Sequence, residues 1–271
     1  QDSLVGSEMC IRDRNWYSQL NSNYSDGTSS FTGVNPANGV VIYYNIGKED
    51  SGKKVSMKIY DQNNKLVREI TSEPDNSFIS YNGGPSREPV LSNKSGLNRI
   101  VWDSRHSSLS GVPYAYIEGS FRGHKAIPGK YTLTLEVGAT SYNSEFEILK
   151  NPNFSVSDED YLDLDKYATH MENNFNEMAK YINSNKELMD KLGVLVKELD
   201  ENPEVKENGK KLLELMDNWD KKMMQRMSKA YDDVENFPNK FLADYLFSLD
   251  EINGDIPNVS EGILKSLKSH D

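Results

Sequence analysis

The side chains best suited to chemistry in this chain are its four histidines, His106, His124, His170 and His270, together with a surplus of carboxylates. Asp103, His106 and His124 offer one oxygen and two imidazole donors, a set that could gather around a divalent cation. Their spacing matches no ligand signature, and no cysteine stands beside them, so both loop histidines are expected at the surface. His170 is expected to be a solvated helix residue. The acidic run 158–165 lacks the glycine and the alternating oxygen ligands of a calcium loop, and reads as a helix start. The Asp61–Asn64 stretch reads as a plain hairpin turn. No serine sits in a nucleophile elbow, and no glycine-rich phosphate loop occurs. No catalytic residue, metal ligand or cofactor is therefore expected. Aromatic rings offer another chemistry: Tyr43, Tyr44, Tyr81, Tyr114, Tyr116 and Tyr142 could stack on sugars, although strand alternation turns about half of such positions inward. Met216, Met223, Met224 and Met227 form either a plastic partner surface or helix-packing contacts.

The elements that carry these residues follow from a change of hydrophobic period near residue 155. Upstream, Val55, Met57 and Ile59 alternate with polar residues, as on a half-buried strand. Strands are expected at 40–46, 55–60, 65–71, 97–103, 131–137 and 140–149, with shorter ones near 78–81 and 116–121. Short antiparallel strands joined by turns imply an immunoglobulin-like antiparallel β-sandwich over 39–150. Downstream, Leu164, Ala168, Met171, Phe175, Met178 and Ile182, then Met189, Leu192, Val196 and Leu199, follow a repeat near 3.5, the seam of a long helix.

That helix should begin after Ser157, whose partner Asp160 completes a capping-box-like pair, and run to about Asp200, with Asn185 as a polar register position in its seam. Pro203 breaks it. A second helix is expected over 204–235 with the stripe Leu212, Met216, Trp219, Met223, Met227 and Ala230. A third is expected over 239–252 and a fourth from 257 to 271. Short connections imply an antiparallel helical hairpin or bundle over 157–271. The fold class is thus α+β with the two kinds of element segregated along the chain. Ser, Asn and Gly over 15–38 read as a linker or arm.

At 271 residues the length suits about two domains. The net charge of −11 disfavours nucleic acid and anionic membrane surfaces, because no basic stripe is available to neutralise phosphates. No apolar run approaches the roughly 20 residues that span a bilayer. The single cysteine, Cys10, allows no disulfide within the chain. Residues 3–14 look like translated sequencing-adapter read-through. On that reading residues 1–14 play no part in the fold and the natural protein extends upstream. Separately, the chain stops inside a helical pattern at Asp271, which raises the expectation of a cut downstream end as well.

Several segments, in order, resemble the region that follows the β-propeller in secreted bacterial proteins of the sortilin-like or sialidase-like (Asp-box, BNR-type) glycosyl hydrolase family. They are Phe31–Tyr44, the strand–turn–strand Val55–Val67, the stretch Gly-Leu-Asn-Arg-Ile-Val-Trp-Asp-Ser-Arg at 96–105, and Pro-Gly-Lys-Tyr-Thr-Leu-Thr-Leu at 128–135. Lys-Asn-Pro-Asn at 150–153 departs from the family's Lys-Asp-Pro-Arg. Asn236–Pro238 and Ile256–Pro257 resemble helix breaks of its C-terminal region. The β unit also resembles the immunoglobulin-like domain of flagellar hook-capping proteins, a likeness of fold rather than of function.

The resemblance implies a secreted or cell-envelope protein whose catalytic carboxylates, where it has any, belong to the propeller. No catalytic residue is carried over to this chain. The expected role is a non-catalytic accessory region that braces an upstream propeller of the same parent chain and offers a helical surface for a partner or a homodimer. A carbohydrate-binding module that takes a glycan is the alternative, and a glycoside hydrolase in its own right comes third. Trp102, Tyr131, Leu133, Phe175 and Trp219 are the expected structural core positions.

Overall fold

In a computed structural model of the chain, residues 37–253 and residue 262 are described. They form two antiparallel sheets and three α-helices, a mixed α+β fold. The strands are β1 (Val40–Ile46), β2 (Val55–Asp61), β3 (Leu66–Thr71), β4 (Gly96–Trp102), β5 (Gly129–Val137) and β6 (Thr140–Ile148). The helices are α1 (Asp158–Glu198), α2 (Pro203–Met223) and α3 (Phe241–Ile252). The expected adapter-like segment 1–14, nearly all of the arm 15–38 and the expected helix 257–271 lie outside the described residues, except for residues 37, 38 and 262.

The chain divides into two compact units that are interleaved in sequence. The first comprises the described part of Gln1–Pro74 with Pro89–His106 and Lys125–Ser155. The second comprises Asp75–Glu88, Ser107–His124 and the described part of Val156–Asp271. The strand-bearing stretch 39–150 therefore lends two of its connections to the helical unit.

In the first unit, β1 pairs with β4 from Val40 opposite Trp102 to Ile46 opposite Gly96. The other sheet has the order β3-β2-β5-β6, with Met57 opposite Leu135 and Ile59 opposite Leu133. Alternation decides the register. Val40, Ile42, Tyr44 and Ile46 are buried on one face of β1 and join Met57, Ile59, Leu133 and Leu135 in one core. The β2–β3 turn is closed by Asp61, whose Oδ1 accepts the main-chain N–H groups of Asn63 and Lys65, each at 2.8 Å. Asn64 takes the left-handed conformation there, at φ 59°. The indole of Trp102 stands edge-on to Tyr131 and Phe146 and donates to the Arg105 carbonyl at 2.9 Å. The Tyr131 hydroxyl donates to the Ile127 carbonyl at 2.6 Å.

In the second unit, α1 starts as expected. Ser157 Oγ accepts the Asp160 N–H at 3.1 Å, and Asp160 Oδ2 accepts the Ser157 N–H at 3.1 Å, so two of the helix's orphan donors are met. Ala168, Met171, Phe175, Ala179 and Ile182 are buried against Leu242, Leu246 and Leu249 of α3 and against Leu109, Val112, Ile117 and Phe121 of the 107–124 connection. Beyond Ile182 the seam faces α2 and is covered less completely. Val196 packs so closely on Gly209 that a Cβ there would stand 2.5 Å from its Cγ2. Asn185, the expected register position, reaches across to the Met216 carbonyl at 3.3 Å.

The structure corrects several expectations. The short strands near 78–81 and 116–121 do not form. The apolar side chains of 107–124 are drawn into the helical core, and Pro113, Gly111 and Gly119 keep that path irregular. The second helix ends at Met223 rather than near 235. Arg226 folds back on the buried carboxylate of Asp220, at 2.6 and 2.7 Å, and a short 3-10 turn occupies Tyr231–Glu235. Trp219 is not a core residue but is 38% exposed. The inward row of α2 is 206, 209, 213, 216 and 220, and Trp219 falls one step, about 100°, away from it. Leu212, Met227 and Ala230 of the expected stripe are exposed as well. Trp102, Tyr131, Leu133 and Phe175 are buried. Among the described residues, no helix is long and apolar enough to cross a membrane.

Candidate functional site

A cluster of titratable groups in the second unit surrounds His124. Sequence reasoning expects this histidine at the surface, but it is only 2% exposed. Asp165 and Glu172 stand seven residues apart on α1, two turns along one face, so both carboxylates point the same way. His124 Nε2 lies 3.0 Å from Asp165 Oδ1, and Nδ1 lies 2.9 Å from Glu172 Oε2. The main-chain N–H of His124 donates to Glu172 Oε1 at 2.6 Å.

A carboxylate beside each ring nitrogen favours the form in which both nitrogens donate, the imidazolium. Burial works against that charge. The hydrogen bonds and charges of Asp165 and Glu172 outweigh it and hold the pKa above the ordinary 6.5. The arrangement fixes the end of the 107–124 connection to α1 and stores one proton.

The trio of Asp103, His106 and His124 is not gathered within either unit, because Asp103 and His106 belong to the first and His124 to the second. Sequence reasoning missed Asp165 and Glu172 as partners of His124. The available signal was a pair of acids at a spacing of seven flanking the buried row of α1, with Glu172 next to Met171. His170 is exposed, as expected.

A cleft of about 350 Å³ opens in the same unit between the 75–88 and 107–113 stretches. Asp75, Phe78, Tyr81, Glu88, Ser108 and Pro113 are among its lining residues. Asp75 Oδ1 accepts the Ser77 N–H at 2.8 Å and the Ser77 hydroxyl at 2.6 Å, which holds the carboxyl below its ordinary value. Glu88 Oε1 accepts the Ser108 N–H at 3.2 Å and links the two stretches. Arg87 covers the Phe78 ring at 5.1 Å from its centroid.

The Tyr81 hydroxyl is buried at the floor of the cleft, and burial pushes its pKa up to about 12. It fits there because residue 111 is glycine. A Cβ at that position would overlap the hydroxyl and stand 2.6 Å from Pro85 Cδ. Tyr114 holds its ring 6.3 Å from that of Tyr81, is 67% exposed, and takes the left-handed conformation at φ 64°. Backbone strain of this kind in a bulky residue costs about 1–3 kcal/mol and collects at binding sites.

The other tyrosines with stacking potential divide between core and surface. Tyr44 is buried, Tyr116 is half-buried, and Tyr43 and Tyr142 are exposed on the first unit. No family model matches this chain, and neither a curated protein nor a solved structure matches it.

Proposed function

We propose that this chain is a non-catalytic accessory region of a secreted or cell-envelope β-propeller protein of the glycosyl-hydrolase-like kind. On this reading it consists of an immunoglobulin-like sandwich followed by an antiparallel helical hairpin, and it braces the propeller. One observation carries the reading. The buried histidine of the second unit, His124, is spent on structure, with both ring nitrogens and its main-chain N–H held by Asp165 and Glu172. The positions through which the family resemblance runs, Trp102, Tyr131 and Leu133, support the reading because they are packed in a core rather than displayed. The interleaved units support it as well, since neither can be cut from the chain as one continuous segment.

The test is to melt the parent protein with and without residues 37–271. Loss of this region should lower the melting temperature of the propeller. An unchanged propeller transition would overturn the bracing role, and steady turnover of glycosides by this chain alone would overturn the non-catalytic one.

The cleft beside Tyr81 favours a second reading, a carbohydrate-binding module. Sugar rings stack on aromatic faces, carboxylates accept from sugar hydroxyls, and serine hydroxyls both accept from and donate to them. The cleft brings Phe78 and Tyr81 together with Asp75, Glu88 and Ser108, and Tyr114 stands exposed beside Tyr81. Isothermal titration against a glycan panel decides it. Binding that Tyr114→Ala weakens about tenfold supports the module, and the absence of heat with every glycan removes it.

A further inference from the structure

Nine large apolar side chains on α1 and α2 are at least 38% exposed; Leu162, Val194 and Leu215 stand apart, and the other six fall into two rows of identical spacing. On α1 they are Tyr181, Leu188 and Leu195, and on α2 they are Val205, Leu212 and Trp219. Each row repeats every seven residues, the spacing of a coiled-coil seam. Each of these residues also comes one position before an inward one: 182, 189 and 196 on α1, and 206, 213 and 220 on α2.

The contacts of Val196 with Gly209 and of Asn185 with Met216 set the register of the pair, with the two helices running in opposite directions. In such a pair, a step back along either helix turns toward the same side. The two rows therefore share one face. By that register Tyr181 lies level with Trp219, Leu188 with Leu212, and Leu195 with Val205. These are three layers about 10 Å apart.

We propose that this face binds the same face of a second copy of the chain, closing a four-helix bundle across a two-fold axis. A two-helix face with a strict seven-residue repeat leaves a row of holes that another such face fills with its own knobs. The charges beside the rows identify the occupant as a second copy. Glu177, Lys180, Glu187, Lys191 and Glu198 on α1 and Glu204, Lys211 and Lys222 on α2 are all exposed, four acids and four bases. That border is neutral and complementary to itself within a chain of net charge −11. Two copies can therefore meet here without the repulsion the rest of the molecule would impose.

Sedimentation equilibrium of the full 271-residue chain in reducing buffer, with Leu188→Glu, Leu212→Glu and Val194→Glu variants, tests the inference. Val194 is 56% exposed but lies on the opposite side of α1, so it controls for charge and for loss of apolar surface. The parent chain and Val194→Glu should dimerise alike. Leu188→Glu and Leu212→Glu should each raise the dimer dissociation constant at least about tenfold with unchanged helical circular dichroism. A parent chain that stays monomeric at high micromolar concentration overturns the proposal, whatever other partner it may take. So does a dimer indifferent to both row substitutions, or one that Val194→Glu breaks equally.

Discussion

Glu172 grips His124 twice, with one carboxylate oxygen 2.6 Å from its main-chain nitrogen and the other 2.9 Å from ring Nδ1. A single side chain of α1 thus fixes both the path of the 107–124 connection and the orientation of its last ring. Asp165 then meets the remaining ring nitrogen at 3.0 Å. Removing one partner of such a buried pair costs more than the pair contributes, because the other charge is left without compensation.

Glu172→Ala should therefore lower the unfolding free energy by about 3–5 kcal/mol. Urea unfolding followed by circular dichroism reads the change. A loss below about 1 kcal/mol, the size of an exposed ion pair, would show that the cluster is not structural.

The same cluster sets a pH dependence. Its largest opposing influence is burial, yet the two carboxylates raise the His124 pKa above 6.5. The native state thus holds its proton more tightly than the unfolded chain does. The stabilisation is fully present below pH 6.5 and is lost as pH rises through the raised native value. The urea midpoint of the parent chain should fall as pH rises from 6.5 through the raised native value, and the fall should be absent from His124→Gln. Parallel curves for the two proteins would contradict the assignment.

Gly111→Ala would place a methyl group against the Tyr81 hydroxyl and Pro85. Forcing such a contact costs about 1–3 kcal/mol and would tilt the Tyr81 ring into the cleft. Thermal melting would read the loss of stability, and near-ultraviolet circular dichroism would read the displaced tyrosine. An unchanged aromatic spectrum would mean that the glycine is not needed for the close approach.

Ser157→Ala removes one half of the capping box while leaving α1 otherwise intact. The expected cost is about 1 kcal/mol, and Ser157→Asp should recover most of it because an aspartate oxygen can accept the same N–H. Chemical denaturation of the three proteins gives the ranking. Equal stability of parent and alanine variant would show that α1 is anchored by its packing alone.

Much of this architecture was readable in the order of residues, because it depends on local rules. Six strands and the start of α1 follow from period-two alternation and from a capping pair three residues apart. Trp102, Tyr131, Leu133 and Phe175 were legible as core because each sits at an inward position of a clean pattern. Local patterns failed where distant groups competed for the same residues. The 78–81 and 116–121 stretches have strand-like composition, but Leu109, Val112, Ile117 and Phe121 are buried in one core with residues of α1 and α3 instead. Helix α2 carries a stripe that continues past Met223, yet the chain ends the helix there and Arg226 folds back to pair with Asp220.

Trp219 and His124 mark the boundary most clearly. The repeat along α2 is amphipathic under either of two rotations about its axis, and contacts with α1, Val196 on Gly209 and Asn185 on the Met216 carbonyl, go with the one that leaves Trp219 outside. A histidine in a Gly- and Ser-rich connection carries no local sign of burial. Its charge can enter the interior only because Asp165 and Glu172, 41 and 48 residues further along, arrive there with compensating ones. Short-range stereochemistry thus wrote the elements into the chain, while rotation about a helix axis and the pairing of buried charge depend on energies between remote residues, which come into being only once the molecule is folded.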